Sequence, residues 1–209
     1  MIKTNLNTQS GRSMIEMLGV LAIVGVLSVG GIAGYSKAMT KFKINKTADQ
    51  ISQIVTNIRT LYAQQTTYQG LNTANAIKMG VTPDELGTGT TLTHAFAGNM
   101  QIRTSNRLSS SSDDAFEISI YDIPKEACVS LSTVDWGSTS SSGLIAILTT
   151  FSAALSISEG IDNCTSSSAP TSISIVTRCS KDGPLPVSYT AYACECSGAN
   201  NCGITWKYY

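Results

Sequence analysis

Hydrophobic and polar positions along this chain fall into three regimes. The first is a run of twenty residues without a charge, Met17 to Ser36, rich in Val, Ile, Leu and Ala with glycines interspersed. At about 1.5 Å per residue such a helix reaches roughly 30 Å, the thickness of a bilayer's hydrocarbon core. A cleavable secretory signal has a shorter apolar stretch. The second regime is amphipathic. Ile44, Ala48, Ile51, Val55, Ile58 and Tyr62 recur at spacings of four and three, which predicts one apolar stripe on a helix that continues the span. Asp49, Gln50, Gln53 and Asn57 are expected to line its wet side.

The third regime is mixed. Ala74 to Met79 predicts a short helix stopped by Gly80, with Pro83 starting another turn and Gly87 to Thr93 a loop. Alternation predicts strands over Asn99 to Thr104, Ala115 to Ile123, Ser172 to Arg178, Val187 to Ala193 and Ile204 to Tyr208. In the second of these Phe116, Ile118 and Ile120 should face a core, with Glu117 and Ser119 outward. Ile204, Trp206 and Tyr208 repeat that pattern. Lys125 to Trp136 reads as a helix after Pro124, and Leu144 to Ile157 fits helix or strand. Ser109 to Asp114 and Ser138 to Gly143 read as polar loops.

Charge adds one difficulty and cysteine one answer. Fourteen basic and fourteen acidic residues balance, so nothing electrostatic points to nucleic acid. Lys37, Lys41, Lys43 and Lys46 crowd just past the apolar run, opposed only by Lys3, Arg12 and the start amine on the other flank. The positive-inside rule alone would put those lysines in the cytoplasm. The six cysteines, Cys128, Cys164, Cys179, Cys194, Cys196 and Cys202, argue the other way. An even count in a Ser/Thr-rich, low-charge region behind a membrane segment reads as a disulfide framework in an oxidising compartment. Fifteen connectivities are open. A metal site on Cys194-x-Cys196 and Cys202 is the competing reading, but it lacks a CxxC pair and the single histidine, His94, is distant in sequence.

One residue does not suit a plain anchor. Glu16 sits at the start of the span, where a carboxylate costs a few kcal/mol. It closes Gly11-Arg-Ser-Met-Ile-Glu16, in which a short polar leader, 1–11, ends in glycine and the glutamate lies four residues past the next position, Arg12. Leader, Glu16 and the long apolar helix together resemble the class III signal peptide of type IV pilins. Tyr68, Gly70, Leu71, Ala76, Ile77, Gly80 and Pro83 resemble the loop after the first helix in the type IVb branch.

The resemblance implies an α+β fold: a long N-terminal helix packed on an antiparallel sheet head, with a disulfide-closed C-terminal region. It divides the chain into a leader, 1–11, a pilin helix, 12–64, and a globular head, 65–209. A prepilin peptidase would cut between Gly11 and Arg12 and methylate the new amine of Arg12, where these families usually begin with Phe or Met. That amine on one subunit would neutralise Glu16 on a neighbour. Cys128 would pair with Cys194 or Cys196, and Cys164 with Cys179 would close an extra local loop. The function implied is the structural subunit of a type IVb pilus for adhesion, aggregation or mating contact. Its partners are copies of itself, prepilin peptidase, the inner-membrane assembly machinery and a host or neighbouring cell surface. The subunit would wait in the bacterial inner membrane, head in the periplasm, before joining a surface fibre.

Other readings are a minor pilin, a type II secretion pseudopilin, or a membrane-tethered periplasmic binding domain. No catalytic motif accompanies His94: there is no GxSxG, P-loop or HExxH, so no enzyme and no cofactor are expected. Asp113 and Asp114 lie in a serine loop and read as solvated surface; a calcium site there or near Asp162 lacks EF-hand spacing, and no metal is expected.

Overall fold

The computed structural model describes residues 14–87, 89–107, 113–137, 142–151, 157, 164–196 and 202–209. The chain divides into two compact units, residues 1–41 and 42–209, and helix α1, Met14–Leu61, contributes to both. No proline interrupts it, and its side-chain hydroxyls are returned to the backbone, Ser28 Oγ to Val24 O at 2.7 Å and Thr40 Oγ1 to Ser36 O at 3.1 Å. In the first unit the apolar side chains from Met14 to Ile32 stand exposed, Leu21 at 63%.

The second unit is a six-stranded antiparallel sheet with a helical layer on one face. Its strands are β1 (Leu92–Thr93), β2 (Asn99–Ser105), β3 (Ala115–Ile123), β4 (Leu144–Thr150), β5 (Val176–Cys179) and β6 (Cys202–Tyr208), in spatial order β1-β2-β3-β6-β4-β5. Helices α2 (Thr73–Lys78), α3 (Lys125–Thr133) and α4 (Val187–Ala193) join the head half of α1. Ile44, Ile51, Ile54, Val55 and Ile58 of α1 share one core with Phe116, Ile118, Ile120, Ile204, Trp206 and Tyr208. Register pairs Phe116 with Tyr208, Ile118 with Trp206 and Ile120 with Ile204, so this face reads as the alternation requires. Rings continue the packing: Tyr68 meets Phe116 edge-on at 4.8 Å and Trp136 meets Trp206 at 5.0 Å.

Several expectations are corrected. Glu117 and Ser119 do not face water; both are fully buried. The sheet's second face carries its own cluster, Ala115, Ala146, Leu148, Ile157, Cys164 and Cys179, supplied by remote segments that alternation in one strand cannot reveal. Val187 to Ala193 is the helix α4, not a strand. Pro186 stands immediately before it, a helix-start signal, and its buried residues Thr190 and Ala193 are three apart. Of Ser172 to Arg178 only the end is strand, because pairing with β4 runs from Thr149–Val176 to Ala146–Cys179 and offers residues 172–175 nothing. The helix after Pro124 stops at Thr133 rather than Trp136; Val134 turns extended and Trp136 folds back, its Nε1 donating to Leu131 O at 2.7 Å. The ambiguous stretch is strand from Leu144 to Thr150, and the expected loop Gly87 to Thr93 contains β1. Gln50, expected wet, is buried and donates to Glu85. Parts of the two polar loops, 109–112 and 138–141, and Asp162 lie outside the described residues.

Candidate functional site

Two features of this molecule have no use inside a solitary folded chain. The first is the apolar half of α1. Burying aliphatic surface is worth about 25 cal/mol per Å², so a helix with Leu18, Leu21, Val24, Leu27 and Val29 all more than half exposed must be covered by lipid or by other chains. By length and composition this helix can cross a membrane. The second is Glu16, an exposed carboxylate in the first turn of that helix. The helix dipole there favours a negative charge, and it favours a cation beside that charge if the surroundings become apolar. Gly11 and Arg12, expected to flank a cleavage point, lie outside the described residues.

The head is braced covalently. Cys128 in α3 is bonded to Cys194 at the end of α4 across 66 residues of sequence, with Cα atoms 5.8 Å apart. Cys164 bonds Cys179 in β5, and Cys196 bonds Cys202 at the start of β6. Closing a loop the length of the first contributes about 4 kcal/mol in the chain-entropy account. All six cysteines are thereby spent, which removes every thiolate from the alternative metal site. Among the described residues no group of three His, Cys, Asp or Glu side chains converges as a metal site would require.

Under the second sheet face lies a charged row that sequence reasoning missed. Arg103, Glu117 and Lys207 are cross-strand neighbours on β2, β3 and β6. Arg103 Nε donates to Glu117 Oε2 at 2.9 Å, and Ser105 Oγ donates to Oε1 at 2.9 Å. The backbone N–H of Ile157 also donates to Oε1 at 3.0 Å, while Lys207 Nζ donates to Ile157 O at 2.8 Å. The backbone of one residue, Ile157, is thus gripped at its N–H by a buried acid and at its C=O by a buried base. A buried charge with these partners is satisfied; its role is to hold Ile157 in the cluster on the sheet's second face. Alternation puts each of the three residues on the face opposite the aromatic rings, but the register that aligns them is not visible in any single strand.

His94 is buried in the turn between β1 and β2. Its Nε2 lies 2.9 Å from Tyr121 O, and its Nδ1 accepts the Phe96 N–H at 3.3 Å. The neutral tautomer that donates from Nε2 satisfies both contacts. Burial pushes its pKa below the ordinary imidazole value, against the opposing pull of the Tyr121 carbonyl and Asp122. Both nitrogens are occupied by structure, leaving neither for proton transfer. On the helix side a groove of about 320 Å³ runs along Ser52, Arg59 and Trp136.

A long helix laid along an antiparallel sheet, with its N-terminal half apolar and bare, defines the class: this is the fold of a type IV pilin. The crystal structure of TcpA, a type IV pilin from Vibrio cholerae El Tor biotype, matches 80% of this chain and 99% of its own with a TM-score of 0.51 at 16% identity. In sequence, the Bundlin family model matches residues 36–177. The chain is also 26% identical over 188 residues to the major structural subunit of bundle-forming pilus of Escherichia coli O111:H-, covering 88% of this chain and 95% of that protein. The same protein of Escherichia coli O127:H6 (strain E2348/69 / EPEC) matches to the same extent. The chain belongs to the Bundlin family. The family match begins at Ser36, so the apolar run and Glu16 stand outside it.

Proposed function

We propose that this chain is the major structural subunit of a type IVb pilus. The observation that carries the reading is the bare apolar half of α1 headed by Glu16, joined to a disulfide-braced head of the Bundlin family. The leader 1–11 is removed by a prepilin peptidase between Gly11 and Arg12, and the amine of Arg12 is methylated. Residues 12–64 are then the helix and 65–209 the head. The subunit waits in the inner membrane with its head in the periplasm, where the disulfides form. The assembly machinery draws it into a fibre in which neighbouring helices replace lipid around the apolar half. The Arg12 amine of one subunit then neutralises Glu16 of the next, so that a misregistered subunit leaves a buried charge unpaired. The fibre serves contact with host or neighbouring cells.

The test is the intact mass and N-terminal sequence of the protein from cells with and without prepilin peptidase. A chain beginning at a methylated Arg12 only when the peptidase is present supports processing as proposed. A chain retaining Met1 to Gly11 in both strains overturns it.

A further inference from the structure

Lys37, Lys41, Lys43 and Lys46 follow the apolar run within ten residues, and no acid lies between Ser36 and Asp49. The pilin reading gives them no task, and an exported head puts them on the side of the membrane where basic flanks are disfavoured. Their placement on α1 is informative. At about 100° of rotation per residue, Lys37 and Lys41 share one side of the helix while Lys43 and Lys46 share the opposite one. Lys46 is held by Glu85 at 2.7 Å, and Lys43 lies 5.8 Å from the centre of the Phe96 ring. Tyr35 and Phe42, seven residues apart and therefore on one face, are 68% and 59% exposed. A contact with one neighbouring protein needs its charges on one face. Charges set around the whole circumference, with aromatic rings between them, suit a layer that surrounds the helix.

The distances fit such a layer. Lys43 is seven residues past Ser36, about 10 Å along a helix, and lysine stems reach back several ångströms toward an interface. Headgroups occupy roughly 5–8 Å on each side of the hydrocarbon. We propose that Lys37, Lys41 and Lys43, with Tyr35 and Phe42 between them, form a collar that binds anionic phospholipid headgroups on the head side of the membrane. The collar rests on the membrane-anchored stage of the pilin reading. It holds the subunit at a fixed depth until the subunit is drawn into a fibre.

The full chain, reconstituted in phosphatidylcholine vesicles doped with spin-labelled phosphatidylglycerol or spin-labelled phosphatidylcholine, provides the test. The fraction of each label immobilised at the protein is read by electron paramagnetic resonance. The expected result is about a threefold preference for phosphatidylglycerol at low salt, fading at high salt. It should disappear in a chain carrying Lys37→Gln, Lys41→Gln and Lys43→Gln, whose head keeps its circular dichroism because Lys37 and Lys41 are exposed and Lys43 is only partly buried. Equal immobilisation of the two labels by the native chain would overturn the collar and leave the anchored stage intact. So would a preference that survives the triple substitution. Immobilisation of neither label would bring down the anchored stage itself, and the collar with it.

Discussion

Gly98 occupies a position where a methyl group has no room. A Cβ built there would lie 2.3 Å from Tyr121 O and 2.6 Å from His94 Nε2, the two atoms of the bond that holds the turn between β1 and β2. Gly98→Ala therefore separates that pair and should cost about 2 kcal/mol, seen as a lower denaturant midpoint. His94 itself gives the head a pH dependence. Its folded pKa is depressed and its unfolded value is ordinary, so the unfolded chain binds the extra proton first as pH falls. The contribution is fully present above the ordinary imidazole value and is lost as pH drops through it toward the lowered folded pKa. Melting temperature should thus decline on acidification below about 6.5, and His94→Gln should flatten that part of the profile. The buried acid offers a third test. Glu117→Ala removes the acceptor shared by Arg103, Ser105 and the Ile157 N–H, and should lower stability by about 3 kcal/mol in a urea titration.

At the level of elements, what could be read in advance depended on whether one period or two segments were needed. The stripe from Ile44 to Tyr62 is a single-segment property, and it marks the helix face that enters the core. Gln50 escaped that logic because its partner, Glu85, comes from a 3-10 turn thirty-five residues away. The seven residues Val-Ser-Tyr-Thr-Ala-Tyr-Ala of α4 satisfy an alternating pattern and a helical one equally; Pro186 ahead of them and the bond from Cys128 to Cys194 behind them select the helix. Strand β5 lies at the sheet's edge, where free N–H groups invite pairing with other chains. Here Thr177 N–H donates to Ser167 Oγ at 3.0 Å and Cys179 N–H to Ser166 Oγ at 2.9 Å. Two serine hydroxyls from a run that looks like featureless loop in the sequence close that edge. Ser166→Ala combined with Ser167→Ala should leave the melting temperature within a few degrees but raise the rate of disordered aggregation, measured by light scattering of the purified protein.

For the whole molecule, the feature most legible in the sequence was the one most remote from the head's packing. The uncharged run and the lone Glu16 are visible without any knowledge of tertiary contacts, because length and charge alone define them. The charged row of Arg103, Glu117 and Lys207 was illegible for the converse reason, since it exists only after three strands have found their register. Glu16→Ala should leave the head folded and the chain membrane-bound while abolishing its appearance in sheared fibres, assayed by immunoblot of both fractions; normal amounts of fibre would refute the proposed pairing. The strand order carries one more implication. β6 lies between β3 and β4, so the segments that precede it in the chain can form only two separate half-sheets, each with an inner edge unsatisfied. The aromatic core and the partner of Cys196 are likewise completed by β6. The head therefore cannot mature piecemeal from its N-terminal end. If the head is exported as proposed above, nearly all of it must cross the membrane before the two halves are joined, and its folding then belongs to the far side.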